Sequence, residues 1–512
     1  SIAVSFVASP DGTVRASDAG TGASLWEFRP PEAQAASAER GISHALITPL
    51  RILRFDANGD GAINAGEGDR VWLYFGLRRA GPFYYALDVS EPAQARVLWK
   101  RSSDSLPGLA EAWSPPTLAR IRVSGASQNG EALVLVAGGG LPAQVSSGDG
   151  GPADEVAEAS GDALFIIDAA TGELLWRASG TASTAPAQFR SARMTNPFAA
   201  RVTAVDVDAD GFTDRLYAVD LAGQVFRFDI WNGRPAANLV TGGVIADLSV
   251  PVGNESATAG RARFFNAPDA ALILSRTAQP YYNLALGSGD MSFANATSAL
   301  DRFYTVRDRT PFLRMSQSDF DGMIPIVPAD LVNLTVDAAA RVPPDAKGWR
   351  IDLDALAGGY GERVLAESLT AEGVVLFTTF IAKSSSNVPP DAAASTDDGC
   401  DLSGTTRVYA VRVETGSAAL DLNDDGAVTD ADRSISLETP GPPAGLSMRL
   451  PAPDGTGNGP SVPIPGIPPA PGHDPGPTDD QGARCFVGER ALSTCVELDA
   501  LRRTFWYRAT VD

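Results

Sequence analysis

Three short stretches concentrate oxygen-bearing side chains at the spacing a hard cation requires. In DVDADGFTD, residues 206–214, carboxylates fill the first, third, fifth and ninth positions and glycine the sixth. Four like charges on nine residues repel one another unless a cation, a positive neighbour or full solvation offsets them. Calcium takes about six to eight oxygens, and a loop with oxygen side chains at positions 1, 3, 5 and 9 and a carbonyl at 7 can wrap it. On that reading Asp206, Asp208, Asp210 and Asp214 are side-chain ligands, Phe212 offers its backbone oxygen and Gly211 makes the turn. Position 12 is Tyr217, so the bidentate glutamate that closes an EF-hand is missing.

The pattern recurs. DANGDGAINAGE, residues 56–67, sets Asp56, Asn58, Asp60, Asn64 and Glu67 at positions 1, 3, 5, 9 and 12, with Gly61 at 6 and the Ala62 carbonyl at 7, the complete EF-hand loop spacing. DLNDDGAVTDAD, residues 421–432, offers Asp421, Asn423, Asp425, the Ala427 carbonyl, Thr429 and Asp432, with Gly426 at the turn. Its terminal Asp is one methylene shorter than Glu and implies weaker or one-oxygen closure. The competing explanation is that Asp, Asn and Gly are simply good turn formers in a solvated acidic loop. Recurrence of the full spacing favours calcium as the cofactor.

The 512 residues carry a formal charge of -21, which repels nucleic acid and anionic membrane surfaces alike. No apolar run approaches the roughly 18 residues needed to cross a bilayer, and no charged-then-apolar leader opens the chain, which reads as a mature protein or a cut fragment. Two histidines (His44, His473) and three cysteines (Cys400, Cys485, Cys495) are too few and too scattered for an ordinary zinc or copper site. The ten-residue spacing of Cys485 and Cys495 suits a disulfide, favoured over either pairing with Cys400. Calcium loops of modest affinity and an oxidised pair both point outside the cytoplasm.

These loops must be positioned by strands, because short alternating segments between Gly, Asp and Pro turns dominate and sustained helical periodicity is hard to find. One phrase returns: VRASDAGTGASLWEF, YYALDVSEPAQARVLW, ALFIIDAATGELLW, LYAVDLAGQVFRFDI and VYAVRVETG. Each is a strand, an Asp or its equivalent, a tight turn and, in most, a strand ending in Trp or Phe that can pack into the next unit. Repeated hairpins imply radially stacked blades, so the expected fold is all-β, a modified seven-bladed β-propeller with the calcium loops as insertions. The expected organisation is one propeller domain over residues 1–512, with a Pro/Gly-rich surface loop at 451–482 and a terminal strand segment at 483–512. VSSGDGGPADEVAEASGDA, from Val145, reads as a surface loop.

The order of several stretches resembles the C-terminal domain of the PilY family, surface and pilus-tip proteins of type IV pilus systems related to the neisserial PilC adhesins. The carrying stretches are SPDGTVRASDAGTGASLWEFRP, YFGLRRAGPFYYALDVSEP, AWSPPTLARI, DVDADGFTDRLYAVDLAGQVFRFDI, RFYTVRDRT, KGWRIDL with GERVLAES, VVLFTTFI and RRTFWYR. The resemblance implies a modified seven-bladed propeller, one nine-residue calcium loop falling on Asp206, Asp208, Asp210, Phe212 and Asp214, and control of pilus extension and retraction linked to twitching motility and adhesion. The loops at Asp56 and Asp421 look like additions to that single site, and VLVAGGGLPAQ departs from the polar motif usual after the third hairpin region.

The function expected is therefore a non-enzymatic, calcium-binding module at the cell surface, pilus tip or outer membrane. Its expected partners are minor pilins and the type IV pilus machinery, with host-cell or abiotic surfaces as further targets. The alternatives are a quinoprotein-type dehydrogenase, whose propeller repeats DAATGELLW resembles but whose vicinal Cys pair is missing, and a host-cell adhesin independent of pilus regulation, for which the chain offers no RGD tripeptide.

Overall fold

The Asp-x-x-Thr-Gly phrase makes the same turn wherever it is complete. Asp18 Oδ1 accepts the Gly20 and Thr21 N–H groups at 2.8 Å each, and Asp168 Oδ1 accepts those of Ala170 and Thr171 at 3.0 and 2.7 Å. The glycine that follows takes positive φ, 73° at Gly22 and 71° at Gly172, and reverses the chain into the next strand. The aspartate of the repeat is thus a turn residue.

The computed structural model describes residues 3–41, 46–60, 62–125, 130–143, 161–253, 263–275, 279–291, 300–335, 342–353, 361–382, 404–439, 441, 445–449, 484–487, 490–492 and 495. Its strands form seven sheets, largely antiparallel and made of consecutive strands. The first contains Val4–Ala8, Val14–Asp18 and Ser24–Phe28; the second Arg51–Phe55, Arg70–Leu77, Phe83–Asp88 and Arg96–Ser102. The third runs Thr117–Arg122, Glu131–Gly138, Leu164–Asp168 and Leu174–Gly180, with Phe189–Ser191 parallel at its edge. Thr203–Val205, Arg215–Val219, Gln224–Ile230 and Val240–Asp247 make the fourth. The fifth is Asp269–Ile273, Tyr281–Gly287, Arg302–Asp308 and Gly348–Asp352, with Val332–Asn333 parallel at its edge. Leu369–Ala371, Val374–Ala382, Gly404–Arg412 and Ser434–Thr439 form the sixth, and Leu446–Arg449, Arg484–Val487 and Arg490–Ala491 the seventh.

The opening strands of the second to sixth sheets touch one another in chain order. They stand side by side about a common axis, and the later strands of each sheet radiate from it, which is the propeller arrangement expected from the repeated hairpins. Apolar clusters fill the spaces between neighbouring sheets. In Arg215–Val219 every residue is buried, yet destinations alternate: Leu216 and Ala218 pack toward the third sheet, Tyr217 and Val219 toward the fifth. Central strands therefore lose the apolar/polar alternation of a half-exposed strand.

Trp99 and Trp176, which close their hairpins, dock on the next blade, as expected, whereas Phe228 of the fourth sheet packs back on the third. Trp99 of the second sheet donates its indole N–H to the Ala169 carbonyl in the third sheet's turn at 2.9 Å, and Trp349 of the fifth donates to Val413 O beside the sixth at 2.8 Å. Trp176 meets Phe228 edge-on at 6.1 Å across the third and fourth sheets. A helix, Pro31–Arg40, departs from the all-strand expectation; Ala33 and Ala36 seat it on the cluster shared by the first two sheets. Among the described residues no helix is long and apolar enough to cross a membrane.

Cys485 and Cys495 form a disulfide with their Cα atoms 5.2 Å apart, and Cys485 is buried against the sixth sheet. Gly61, Cys400, the 451–482 segment, the closing RRTFWYR and most of the stretch from Val145 lie outside the described residues.

Two buried carboxyls make stability depend on pH. Burial pushes Asp220 and Asp301 up to about 6, against hydrogen bonds from Asn196 and Gln224 to the first and from Ser288 to the second. Asp301 Oδ2 has no hydrogen-bond partner among the described residues. Because the folded state holds these protons more tightly than the unfolded chain, stability falls as pH rises from about 4 to about 6. Across that window each group withdraws roughly 3 kcal/mol of stability. Asp301→Asn is expected to stabilise the chain at pH 8 by roughly 1–2 kcal/mol and to give no gain at pH 4. Urea unfolding at both pH values checks this; an equal effect at the two would contradict it.

Candidate metal centre

The 206–214 loop joins the first two strands of the fourth sheet. Its carboxylates organise its own backbone: Asp206 Oδ1 accepts the Ala209 N–H at 2.7 Å and Oδ2 that of Gly211 at 2.8 Å, while Asp210 Oδ1 accepts that of Phe212 at 2.9 Å. Ala209 and Gly211 take positive φ, 63° and 87°, and this curls Asp206, Asp208 and Asp210 onto one side. One oxygen from each lies within 4.8 Å of the others. Calcium–oxygen bonds of about 2.3–2.6 Å let ligands up to about 5 Å apart share one ion, so the three fit it. Burial raises the Asp206 carboxyl above its ordinary range, and the charges of Asp214 and Asp210 add to that despite the accepted N–H bonds. A cation would relieve the same repulsion.

The rest of the loop is tied to the sheet. Phe212 is buried, with the Arg122 guanidinium over its ring at 3.7 Å and that of Arg120 at 4.7 Å. Arg122 Nη1 also lies 3.7 Å from Asp210 Oδ2. Asp214 is buried outside the three-carboxylate cluster: it accepts the Val207 N–H at 2.8 Å and pairs with Arg314.

The other two loops share a closing device with this one. In 56–67 the buried Asp69, two positions beyond the loop, accepts the N–H groups of Ala57 at 2.7 Å and Asn64 at 2.8 Å, which hold its carboxyl below the usual range. In 421–432 the buried Asp432 accepts those of Leu422 at 3.1 Å, Asn423 at 3.2 Å and Thr429 at 2.8 Å, again lowering its pKa. In all three loops a buried carboxylate therefore captures the N–H of the second loop residue: Ala57, Val207 and Leu422. Motif matching pointed to Asp214 and Asp432 but passed over Asp69, because it lies outside the EF-hand spacing.

Position 9 also has a structural task in these two loops. Asn64 Oδ1 accepts the Gly66 N–H at 3.1 Å and caps Ala65–Glu67; Thr429 Oγ1 accepts the Ala431 N–H at 3.3 Å and caps Asp430–Arg433. The Asn58 amide nitrogen reaches Glu67 at 2.9 Å and Asp60 at 3.3 Å, and that of Asn423 reaches Asp425 at 3.0 Å. Asp56 accepts the Gly59 N–H at 2.8 Å, Asp421 that of Gly426 at 2.7 Å, and Asp60 and Asp425 accept those of Ala62 and Ala427 at 2.8 and 3.0 Å. Among the described residues, three carboxylates converge only at 206, 208 and 210.

No protein-family model matches the chain. It is 26% identical over 439 residues, 81% of its length, to the type IV pilus biogenesis factor PilY1 homolog of Xylella fastidiosa, and 23% identical over 461 residues to PilY1 of Pseudomonas aeruginosa. Its matched span is 29% of the first relative and 36% of the second. Its fold matches the crystal structure of the Pseudomonas aeruginosa PilY1 C-terminal domain with a TM-score of 0.60 at 18% identity, covering 96% of this chain and 91% of that one. The chain is thus similar over most of its length to PilY1 type IV pilus biogenesis factors, and its propeller fold is that of the Pseudomonas aeruginosa PilY1 C-terminal domain.

Proposed function

We propose that this chain is a calcium-binding, non-enzymatic propeller of a type IV pilus biogenesis protein, acting at the cell surface or pilus tip with minor pilins and the pilus machinery. In this reading calcium occupancy biases pilus extension and retraction, and through them twitching motility and adhesion. The observation that supports it most is the convergence of the Asp206, Asp208 and Asp210 oxygens within 4.8 Å, in a chain whose relatives are pilus biogenesis factors. An ion that binds only the ordered loop stabilises it by about 2.7 kcal/mol when present at a hundredfold over its dissociation constant. That suffices to hold one surface loop in one conformation.

Calorimetric calcium titration tests the reading. With the other two loops disabled by Asp56→Ala and Asp421→Ala, one site is expected to remain, and Asp210→Ala in that background is expected to weaken it by roughly tenfold or more, since affinity follows ligand charge count. Equal calcium uptake with and without Asp210→Ala would remove the basis for a metal at this loop.

A further inference from the structure

At one end of the propeller axis, where the chain enters the inner strands of the second to seventh sheets, lies a cavity of about 420 Å³. This is within the range of small-molecule sites, about 300–1,000 Å³. The charged side chains lining it are Arg51, Arg78, Arg201 and Glu367. Arg201 grips Glu367 with two hydrogen bonds, Nε at 3.0 Å and Nη2 at 2.7 Å. The other two arginines have no carboxylate within ion-pair distance among the described residues, and Arg78 Nε is buried without a hydrogen-bond partner. Burial pushes Arg78 down to about 10 and lowers Arg51 too, with Arg201 adding to the shift in Arg51 and Glu367 opposing it. Arg78 stays protonated at neutral pH, so positive charge accumulates inside a strongly acidic chain.

Part of the lining is aromatic, and Arg78 lies against it. Trp113 and Phe265 are buried with ring centroids 5.7 Å apart, and the Arg78 guanidinium stands 5.2 Å over Trp113. The Arg201–Glu367 fork shows how a guanidinium here takes a carboxylate. A bare inorganic anion would satisfy the arginines and leave the rings idle. We infer that the axial cavity is a binding site for a carboxylate carried on an apolar or aromatic body, held by Arg51 and Arg78 with its apolar part against Trp113 and Phe265. This site is separate from the acidic loops and does not rest on their binding calcium.

The experiment uses the whole chain in the presence of a calcium chelator, with 3-phenylpropanoate as the probe and calorimetry as the readout. Saturable binding is expected, weakened roughly tenfold or more by Arg78→Gln and by Arg51→Gln, and unchanged by Arg96→Gln at an exposed edge strand. The uncharged 3-phenylpropanamide is expected not to bind. A pentaglycyl-phenylalanine peptide, with free and with amidated C-terminus, separates the sources: binding of the free form assigns the site to a chain terminus, binding of phenylpropanoate alone to a small organic acid. Urea midpoints establish that each variant is folded, and either arginine variant alone is sufficient. Absence of saturable phenylpropanoate binding at millimolar concentration, equal binding by both arginine variants and wild type, or preference for inorganic phosphate would overturn the proposal.

Discussion

Gly140→Ala is expected to destabilise the chain by about 3–5 kcal/mol, through a left-handed backbone penalty and an overpacked site. Gly140 has φ 88°, and a Cβ there would stand 1.9 Å from the Glu111 carbonyl oxygen and 2.9 Å from its carbon. Neither atom can withdraw, because Glu111 and Leu141 exchange backbone hydrogen bonds at 3.1 and 3.0 Å and Gly140 N–H is bound to Phe198 O at 2.9 Å. Its neighbours are as tight: Cβ atoms on Gly138 and Gly139 would meet Phe198 O at 2.2 Å and Gly161 O at 2.6 Å. Gly233, with φ 89° and nothing within 4 Å, is the comparison, and Gly233→Ala should lose only about 1–2 kcal/mol. Urea unfolding of the two variants decides; equal losses would mean that the crowding at Gly140 is relieved by movement.

The second large effect lies between the fourth and fifth sheets, where Arg215, Arg227, Asp229 and Asp308 are buried together. Arg227 holds Asp229 at 2.7 Å and Asp308 at 2.9 Å, Arg215 reaches Asp229 at 2.8 Å, and Tyr217 donates to Asp308 at 2.7 Å. Burial alone would raise the Asp308 carboxyl, but Arg227 and Arg215 bring it below the ordinary range. Asp229→Ala leaves two guanidinium groups sharing one carboxylate in a site without solvent, and the expected loss is about 3–5 kcal/mol. It should also loosen the segment that follows the fifth sheet's third strand, because the Met315 N–H is bound to Asp229 at 2.8 Å and Arg215 holds the Pro311 and Leu313 carbonyls at 2.9 Å each. The checks are the unfolding midpoint and hydrogen exchange at Met315. A loss below about 1 kcal/mol would show that water or rearrangement replaces the missing charge.

Hairpins were legible in the sequence because their causes are local: an aspartate, two N–H groups and a glycine within five residues make the turn at Asp18 and at Asp168. The clustering of Asp206, Asp208 and Asp210 was legible for the same reason. Asp214 read as a ligand from its spacing and from the family resemblance, whereas its ion-pair partner Arg314 stands 100 residues away and left no local mark. Arg227 and Asp229 look in sequence like the polar face of an alternating strand, and only the crowding of the next sheet turns that face into an interior. Arg51 and Arg78 stand at one end of two adjacent strands of the second sheet and Arg201 at the approach to the fourth, and no local period marks them; the three glycines of VLVAGGGLPAQ serve close approach of backbones.

The apolar clusters set a rhythm that differs from that of the sheets. Hydrogen bonds gather strands into blades, but the water-free material lies between blades: Val14 and Phe75 share one filling, Trp72 and Phe165 the next, Trp176 and Phe226 the one after. What the backbone makes as a unit is thus half of two different interiors, and the chain's covalent phrasing is offset from its cooperative phrasing by half a step. A severed blade would carry away a complete ladder and no complete core. Damage at one hairpin is consequently inherited by the neighbours on both sides, and the natural parcels of this molecule are the seams.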